Sequence, residues 1–230
     1  MDANATAKKY EFTGETKEWF GRTLHRIRAI VSFAYVEKGD VGGWIEKEDN
    51  LSHVGNAWVC GNAWVYGNAW VCGNAWVYGN AWVYGNAWVC GNASVCGEAR
   101  VYGNASVYGK ASVCDNASVY GNASVCDNAS VCGEASVCGN ASVCGEARVY
   151  GNASVCDNAD YMVFKNCWSS MRWFTYTRSD KMWTVGCFRG TGQELIKKAY
   201  ADSKVSGRCY EAIVKAMEAI EEATVKEEDK

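Results

Sequence analysis

Gly55-Asn56-Ala57-Trp58-Val59-Cys60 runs without a break into Gly61-Asn62-Ala63-Trp64-Val65-Tyr66, and the same six-letter word continues to Gly151-Asn152-Ala153-Ser154-Val155-Cys156. Seventeen copies stand in line with no insertion or deletion. A short fixed period is the signature of a coil in which each turn buries the inner face of the next. Ala is the third letter and Val the fifth in every copy. Two apolar residues separated by one residue point to the same side of a strand, so this pair faces inward and letters four and six face outward. Letter one is Gly except at Asp115 and Asp127, and letter two is Asn except at Glu98, Lys110, Glu134 and Glu146. Gly, Asn and Asp tolerate the left-handed backbone of a sharp corner, which places the corner at letters one and two.

One Ala and one Val per short strand fill only a narrow prism. The word resembles the hexapeptide repeat of the left-handed parallel β-helix, where three words make a turn. The resemblance implies a mainly β fold of about six turns, about 27 Å long at the usual strand spacing of roughly 4.8 Å. A right-handed solenoid is the structural alternative. Degenerate words flank the array, Asp49-Asn50-Leu51-Ser52-His53-Val54 before it and Asp157-Asn158-Ala159-Asp160-Tyr161-Met162 after it. The expected organisation is an N-terminal β-cap over 1–48, the β-helix over 49–162 and a C-terminal α+β cap over 163–230.

Side chains one turn apart should stack in columns. At letter six, one face carries Cys60, Tyr78, Cys96, Cys114, Cys132 and Tyr150. A second carries Tyr66, Tyr84, Tyr102, Tyr120, Cys138 and Cys156, and a third Cys72, Cys90, Tyr108, Cys126 and Cys144. Letter four changes along the axis instead. It is Trp in the first six copies, at 58, 64, 70, 76, 82 and 88, and thereafter Ser, or Arg at 100 and 148. Trp58, Trp64, Trp70, Trp76, Trp82 and Trp88, with Tyr66, Tyr84, Tyr102 and Tyr120, would expose more apolar surface than a soluble monomer usually shows. Three things could cover it: a second copy of the chain, the chain's own terminal segments, or a ligand with flat apolar faces. The plainer account is that the rings stabilise one another within columns, as cross-strand pairs do.

Ten of the thirteen Cys lie at letter six. Stacked neighbours such as Cys96 and Cys114 would have Cα atoms close enough for a disulfide. The opening residues 1–9 are polar, with no apolar core of a secretory signal, and no stretch is long and apolar enough for a transmembrane helix. A cytoplasmic location and reduced thiols are therefore expected. With no C-x-x-C pair and only two His, no metal or other cofactor is expected. Cys and Tyr read as interchangeable fillers of a half-exposed position. A stacked thiol ladder that cross-links or holds a soft metal is the sharper alternative.

The flanks read differently. Strands are expected over 9–13 and 24–34, then a turn at Gly39-Asp40 with a strand through Trp44-Ile45 entering the coil. A solenoid end is an open sheet edge and needs such cover. Arg22, His25, Arg26 and Arg28 form a local basic cluster, but eight acidic residues up to Glu48 balance eight basic ones, and a solvated face is expected. Downstream, strands are expected over 172–177 and 181–188 around a Ser179-Asp180 turn. Thr191-Gly192-Gln193-Glu194 fits a capping box opening a helix that ends near Ala201. A second helix from about Gly207 carries Tyr210, Ile213, Val214, Met217 and Ile220 at helical spacing, and a charged tail from Lys226 onward should fray.

The net charge is −3 and the array is nearly uncharged, so duplex nucleic acid is not an expected partner. Arg26-Ile27-Arg28-Ala29-Ile30, Gly42-Gly43-Trp44-Ile45-Glu46 and Asn50-Leu51-Ser52 followed by hexads resemble the YdcK-like group of bacterial hexapeptide-repeat proteins. Together with Val185-Gly186-Cys187-Phe188-Arg189-Gly190-Thr191 and a helical tail, the chain resembles proteins of bacteriophages and prophages. That resemblance implies the fold and a bacterial cytoplasmic setting, but no particular activity. Arg189, Gly-flanked and before a helix N-terminus, is a candidate anion ligand, the alternative being a structural ion pair.

Acyltransferases on this fold use a His general base at a subunit groove and a loop projecting from the coil; the array has neither, and only His25 and His53 lie near it. No catalytic residue is therefore assigned. The first reading is a non-enzymatic structural or interaction protein that forms a homo-oligomer, dimer or trimer, or grips a protein partner. The second is a binder of a small nucleotide or glycan, such as a host signalling nucleotide, between stacked rings. An ice-binding surface is disfavoured, because its ranks usually carry Thr.

Overall fold

The computed structural model describes residues 7–168 and 171–228, and they fall into two units, 7–160 and 161–228. In the first unit, β1 (Tyr10–Trp19), β2 (Arg22–Ala29) and β3 (Val41–Ile45) precede seventeen two-residue strands, from β4 (Trp58–Val59) to β20 (Ser154–Val155). Each short strand occupies letters four and five of one word. Each pairs in parallel with a strand one turn away, as Trp64 with Trp82 and Val65 with Val83. Three sheets result, one for each expected face. The chain is thus a parallel β-solenoid of about six turns.

The inward pair behaves as the word demands. Every Ala and Val from Ala57 to Val155 is buried to within 1% of full burial. Letter-one Gly residues have φ between 63° and 80°, the conformation that favours glycine. Close stacking adds a second constraint at the same corner: a Cβ on Gly85 would lie 3.0 Å from the backbone of Gly103. Asp115 and Asp127 hold the same conformation, with φ of 58° and 59°. Their carboxylates accept bonds from the Gly133 and Gly145 amides one turn on, at 3.1 Å each. The letter-two side chains form a polar ladder down the corner, Asn68 to Asn86 to Asn104 to Asn122 to Asn140 at 3.0–3.2 Å. Such ladders satisfy amides that stack at the strand repeat.

The solenoid begins earlier than the regular words. Trp44 and Ile45 pair in parallel with Trp64 and Val65, and Leu51 bridges to Val71. Asn50 is fully buried and donates to the carbonyls of Gly67 and Ala69, so the first degenerate word forms part of a rung. The Asp157 word ends the coil: Asn158 accepts from the Ser142 amide, and Asp160 from the Cys156 and Asp157 amides. Before the coil, β1 and β2 pair antiparallel, and β2 pairs with β3, which adds the hairpin to the sheet carrying Trp64. Its two-residue loop is Phe20-Gly21, both with positive φ, the geometry whose twist matches flanking strands. These strands differ from the expected 9–13 and 24–34: β1 runs longer and β2 starts earlier and ends earlier. Beyond Ala29 the chain leaves the strand for a small loop closed by Phe33 and Val36.

The second unit is a four-stranded antiparallel sheet with two helices. β21 (Tyr161–Lys165), β22 (Trp173–Thr177), β23 (Met182–Val185) and β24 (Phe188–Gly190) pair in order. Tyr161-Met162, expected to close the coil, instead open β21, paired with β22. Its core joins Phe174, Tyr176, Trp183 and Val185 to Leu195, Tyr210, Val214 and Met217. α1 (Gly192–Asp202) opens on the expected capping box, Thr191 accepting from the Glu194 amide and Glu194 accepting from the Thr191 amide. α2 (Lys204–Glu228) starts three residues before the expected Gly207. It continues through Lys226, where fraying was expected; Asp229 and Lys230, the rest of that tail, lie outside the described residues.

Candidate functional site

The six Trp do not form a uniform exposed belt. On the sheet that the hairpin extends, Trp64 and Trp82 stack at 5.1 Å with planes 2° apart. Trp19, at the end of β1, stands edge-on to both at 5.2 and 5.4 Å. The hairpin register places it there, since Trp19 pairs with Arg22 directly across the loop. Cations complete the cover: Lys17 lies 4.2 Å from the Trp44 ring centroid and 5.8 Å from that of Trp64, and Arg100 lies 5.5 Å from that of Trp82. Aromatic faces attract cations through their quadrupole.

On the next face the loop after β2 provides cover. Phe33 packs edge-on to Trp58 at 5.5 Å, and Tyr10 meets the same ring at 6.4 Å, leaving Trp58 only 2% exposed. Tyr35 leans over Trp76 with ring centroids 6.4 Å apart. With Tyr78, Cys60 and Asn92 these two rings line an open apolar groove of about 570 Å³.

The third face is different. Trp70 and Trp88 meet edge-to-face at 5.6 Å and remain 38% and 52% exposed. Among the described residues no other ring packs on them. Val54 and Tyr108 add to the exposed apolar surface of this unit. A shallow recess of about 400 Å³ adjoins Trp70, lined by Glu48, Leu51, His53 and Val54. The His53 ring stacks on Tyr10 at 4.2 Å, and its Nδ1 accepts from the Lys9 amide. Burial lowers its pKa despite the nearby Glu48.

Tyr66, Tyr84, Tyr102 and Tyr120 form a ladder of parallel rings at 5.0, 4.9 and 5.1 Å. Burial, then the neighbouring Tyr84 hydroxyl, pushes the Tyr66 phenol up to about 12. The rings therefore stabilise their own column, as cross-strand aromatic pairs do.

The Cys residues depart from the expected reduced fillers. Disulfides join Cys114 to Cys132, Cys126 to Cys144 and Cys138 to Cys156, each across one turn of 18 residues. In-register stacking brings the Cα atoms to 4.3–4.7 Å, within disulfide reach. Cys60, Cys72, Cys90 and Cys96 remain thiols. Cys96 and Cys114, the pair used to illustrate the spacing, are not joined, because Cys114 bonds to the turn beyond.

Arg189 lies in the second unit, where it donates to Asp180 at 2.5 Å. The structural ion pair is thus the arrangement observed. Most of the N-terminal basic cluster resolves into local contacts: Arg22 with Glu46, Arg28 with Glu11, the His25 ring stacked on Phe12, and Arg26 over the Trp44 ring at 5.0 Å. Trp19, Phe33 and Tyr35 are the residues that the sequence reading left out of the site. Phe20-Gly21 between alternating strands was the signal for Trp19; no sequence signal locates the Phe33 loop over Trp58.

The fold and its stacked faces define a β-solenoid protein, and comparison with known families agrees. A family model described as the YdcK beta solenoid repeat matches residues 57–73, 69–85, 75–91 and 99–115. The chain therefore carries a YdcK-like solenoid. No curated protein matches it. Among the described residues no helix is long and apolar enough to cross a membrane.

Proposed function

We propose that this protein is a non-enzymatic, self-associating structural module on a left-handed hexapeptide coil. We place it in the bacterial cytoplasm and assign it a phage or prophage origin, a setting that rests on the edge motifs described above. The observation that carries the interaction is the difference between the Trp columns. The chain's own N-terminal segment packs on Trp58, Trp64 and Trp82 and leans Tyr35 over Trp76, while Trp70 and Trp88 stay exposed with only each other in ring contact among the described residues. Aromatic residues on a rigid, pre-formed surface lose little conformational freedom when covered, and Trp is the residue most enriched at binding hot spots. A second copy offers the same flat face and needs no other partner. Native mass spectrometry tests the reading: the parent should give a multiple of the 25.2 kDa chain, and Trp70→Ser/Trp88→Ser should return it to one chain. A single-chain mass for the parent at micromolar concentration contradicts self-association, and capture of a different protein by the Trp70–Trp88 face would assign it to a heterologous partner.

A second reading is favoured by the Tyr35–Trp76–Tyr78 groove, whose exposed aromatic lining suits contact with a planar nucleobase or sugar. It predicts quenching of Trp fluorescence by nucleotides or glycans, abolished by Tyr35→Ala. Arg189, tied to Asp180, has no part in this version of the ligand reading.

A further inference from the structure

The Gly-to-Asp exceptions in the repeat mark two identical side-chain sets on different faces. Cys114, Asp115 and Cys132 form one, and Cys126, Asp127 and Cys144 the other; in each, the ligand-capable atoms lie within 4.8 Å of one another. We propose that, with their thiols reduced, each set binds one soft or borderline divalent cation of the Zn²⁺ or Cd²⁺ class. Two thiolates and one carboxylate form a familiar three-ligand set that leaves a fourth, exchangeable position to solvent.

The geometry favours a shared ion. The Cα atoms of each Cys pair are 4.7 Å apart and in register. Two thiolates on one tetrahedral ion need sulfurs about 3.8 Å apart, as Zn–S bonds of about 2.3 Å require, and small χ1 changes reach that from side chains stacked at this spacing. The Cys114 sulfur is already 3.9 Å from Asp115 Oδ2. That carboxylate is oriented by the Gly133 amide, and the Asp127 carboxylate by the Gly145 amide. Such second bonds fix ligands in place. The Ser130 and Ser142 hydroxyls lie 3.4 and 3.1 Å from the Cys132 and Cys144 sulfurs, where they can donate to thiolates.

The molecule supplies its own controls. Cys138 and Cys156 stack in the same way, but Gly139 follows the lower Cys, and Asp157 instead turns its carboxylate to the Ala159 amide. Cys72 and Cys90 stack without a neighbouring carboxylate and form no such set among the described residues. Neither pair belongs to a three-ligand set.

The test uses the full chain, reduced with a phosphine under anaerobic conditions and titrated with Cd²⁺. Thiolate-to-metal charge-transfer absorbance reports binding, and native mass spectrometry reports stoichiometry. Two ions per chain are expected. Asp115→Gly/Asp127→Gly restores the repeat's own corner residue and should fold, as circular dichroism can verify, yet bind at least tenfold more weakly. Cys138→Ser/Cys156→Ser should still bind two. Absence of binding by the reduced parent, or equal affinity in the Asp-to-Gly variant, would overturn the proposal; so would loss of an ion in the Cys138→Ser/Cys156→Ser variant.

Discussion

The first turns of the coil and the last turns share one backbone but are finished in opposite ways. At letter four the early turns carry Trp, and a separate piece of chain is folded over most of it. The later turns carry Ser, or Arg at 100 and 148, which need no cover; Ser94 bonds to Ser112 and Ser124 to Ser142 at 3.2 Å. At letter six the early cysteines remain thiols, while six later ones are joined turn to turn. The inward Ala and Val pair is the same throughout and cannot account for either difference. The lesson is that the inner letters set the coil, whereas the outer letters decide what is laid over it and how adjacent turns are tied.

This contrast can be broken most forcefully at the disulfides. In the oxidised protein, Cys114→Ser should cost about 3 kcal/mol, the chain-entropy value for closing a loop of this size. The same substitution in reduced protein, or Cys90→Ser in either state, should change urea stability by less than about 1 kcal/mol. Equal costs in oxidised and reduced protein would remove the disulfide from the account. Next comes the cover: Trp19→Ala should destabilise the early turns by about 2 kcal/mol, from lost apolar burial and two edge-on ring contacts. Hydrogen exchange should show the loss concentrated at Trp64 and Trp82, with the Ser-bearing turns unaffected.

A smaller effect belongs to pH. Burial raises the Cys72 thiol to about 11 and the Tyr66 phenol to about 12. Each is an acid whose neutral form is favoured by folding, so the unfolded chain releases its proton first. That stability is fully present below the ordinary values of 9.0 and 10.0 and is lost as pH climbs through the folded values. Urea midpoints should fall with rising pH over this range, and Tyr66→Phe should flatten the upper part of the decline.

Much of this was legible in the sequence because a strict period leaves few solutions. The invariance of Ala57 and Val59 and their counterparts placed the core, Gly and Asn placed the corners, and the columns followed from the period alone. Thr191 and Glu194 likewise marked the α1 start through purely local chemistry. The cover over the Trp was not legible, because Phe33 and Tyr35 reach Trp58 and Trp76 through a loop that belongs to no repeat. The pairing of Cys114 with Cys132 was within reach of the spacing, but residue order cannot choose between that turn and the one through Cys96. For Arg189 the sequence left an anion ligand and a structural ion pair both open, and only the fold brings it to Asp180 in the β22–β23 turn.

The central claim is that the chain covers two Trp faces itself and leaves Trp70 and Trp88 for a second copy. Oxidative footprinting of individual tryptophans at low and high protein concentration tests it most directly. Trp58, Trp64 and Trp82 should be protected at both concentrations, and Trp70 and Trp88 should be modified at the low one and protected at the high one. Equal modification of Trp70 and Trp88 at both concentrations, or Trp64 and Trp82 reacting as readily as they do, would contradict it.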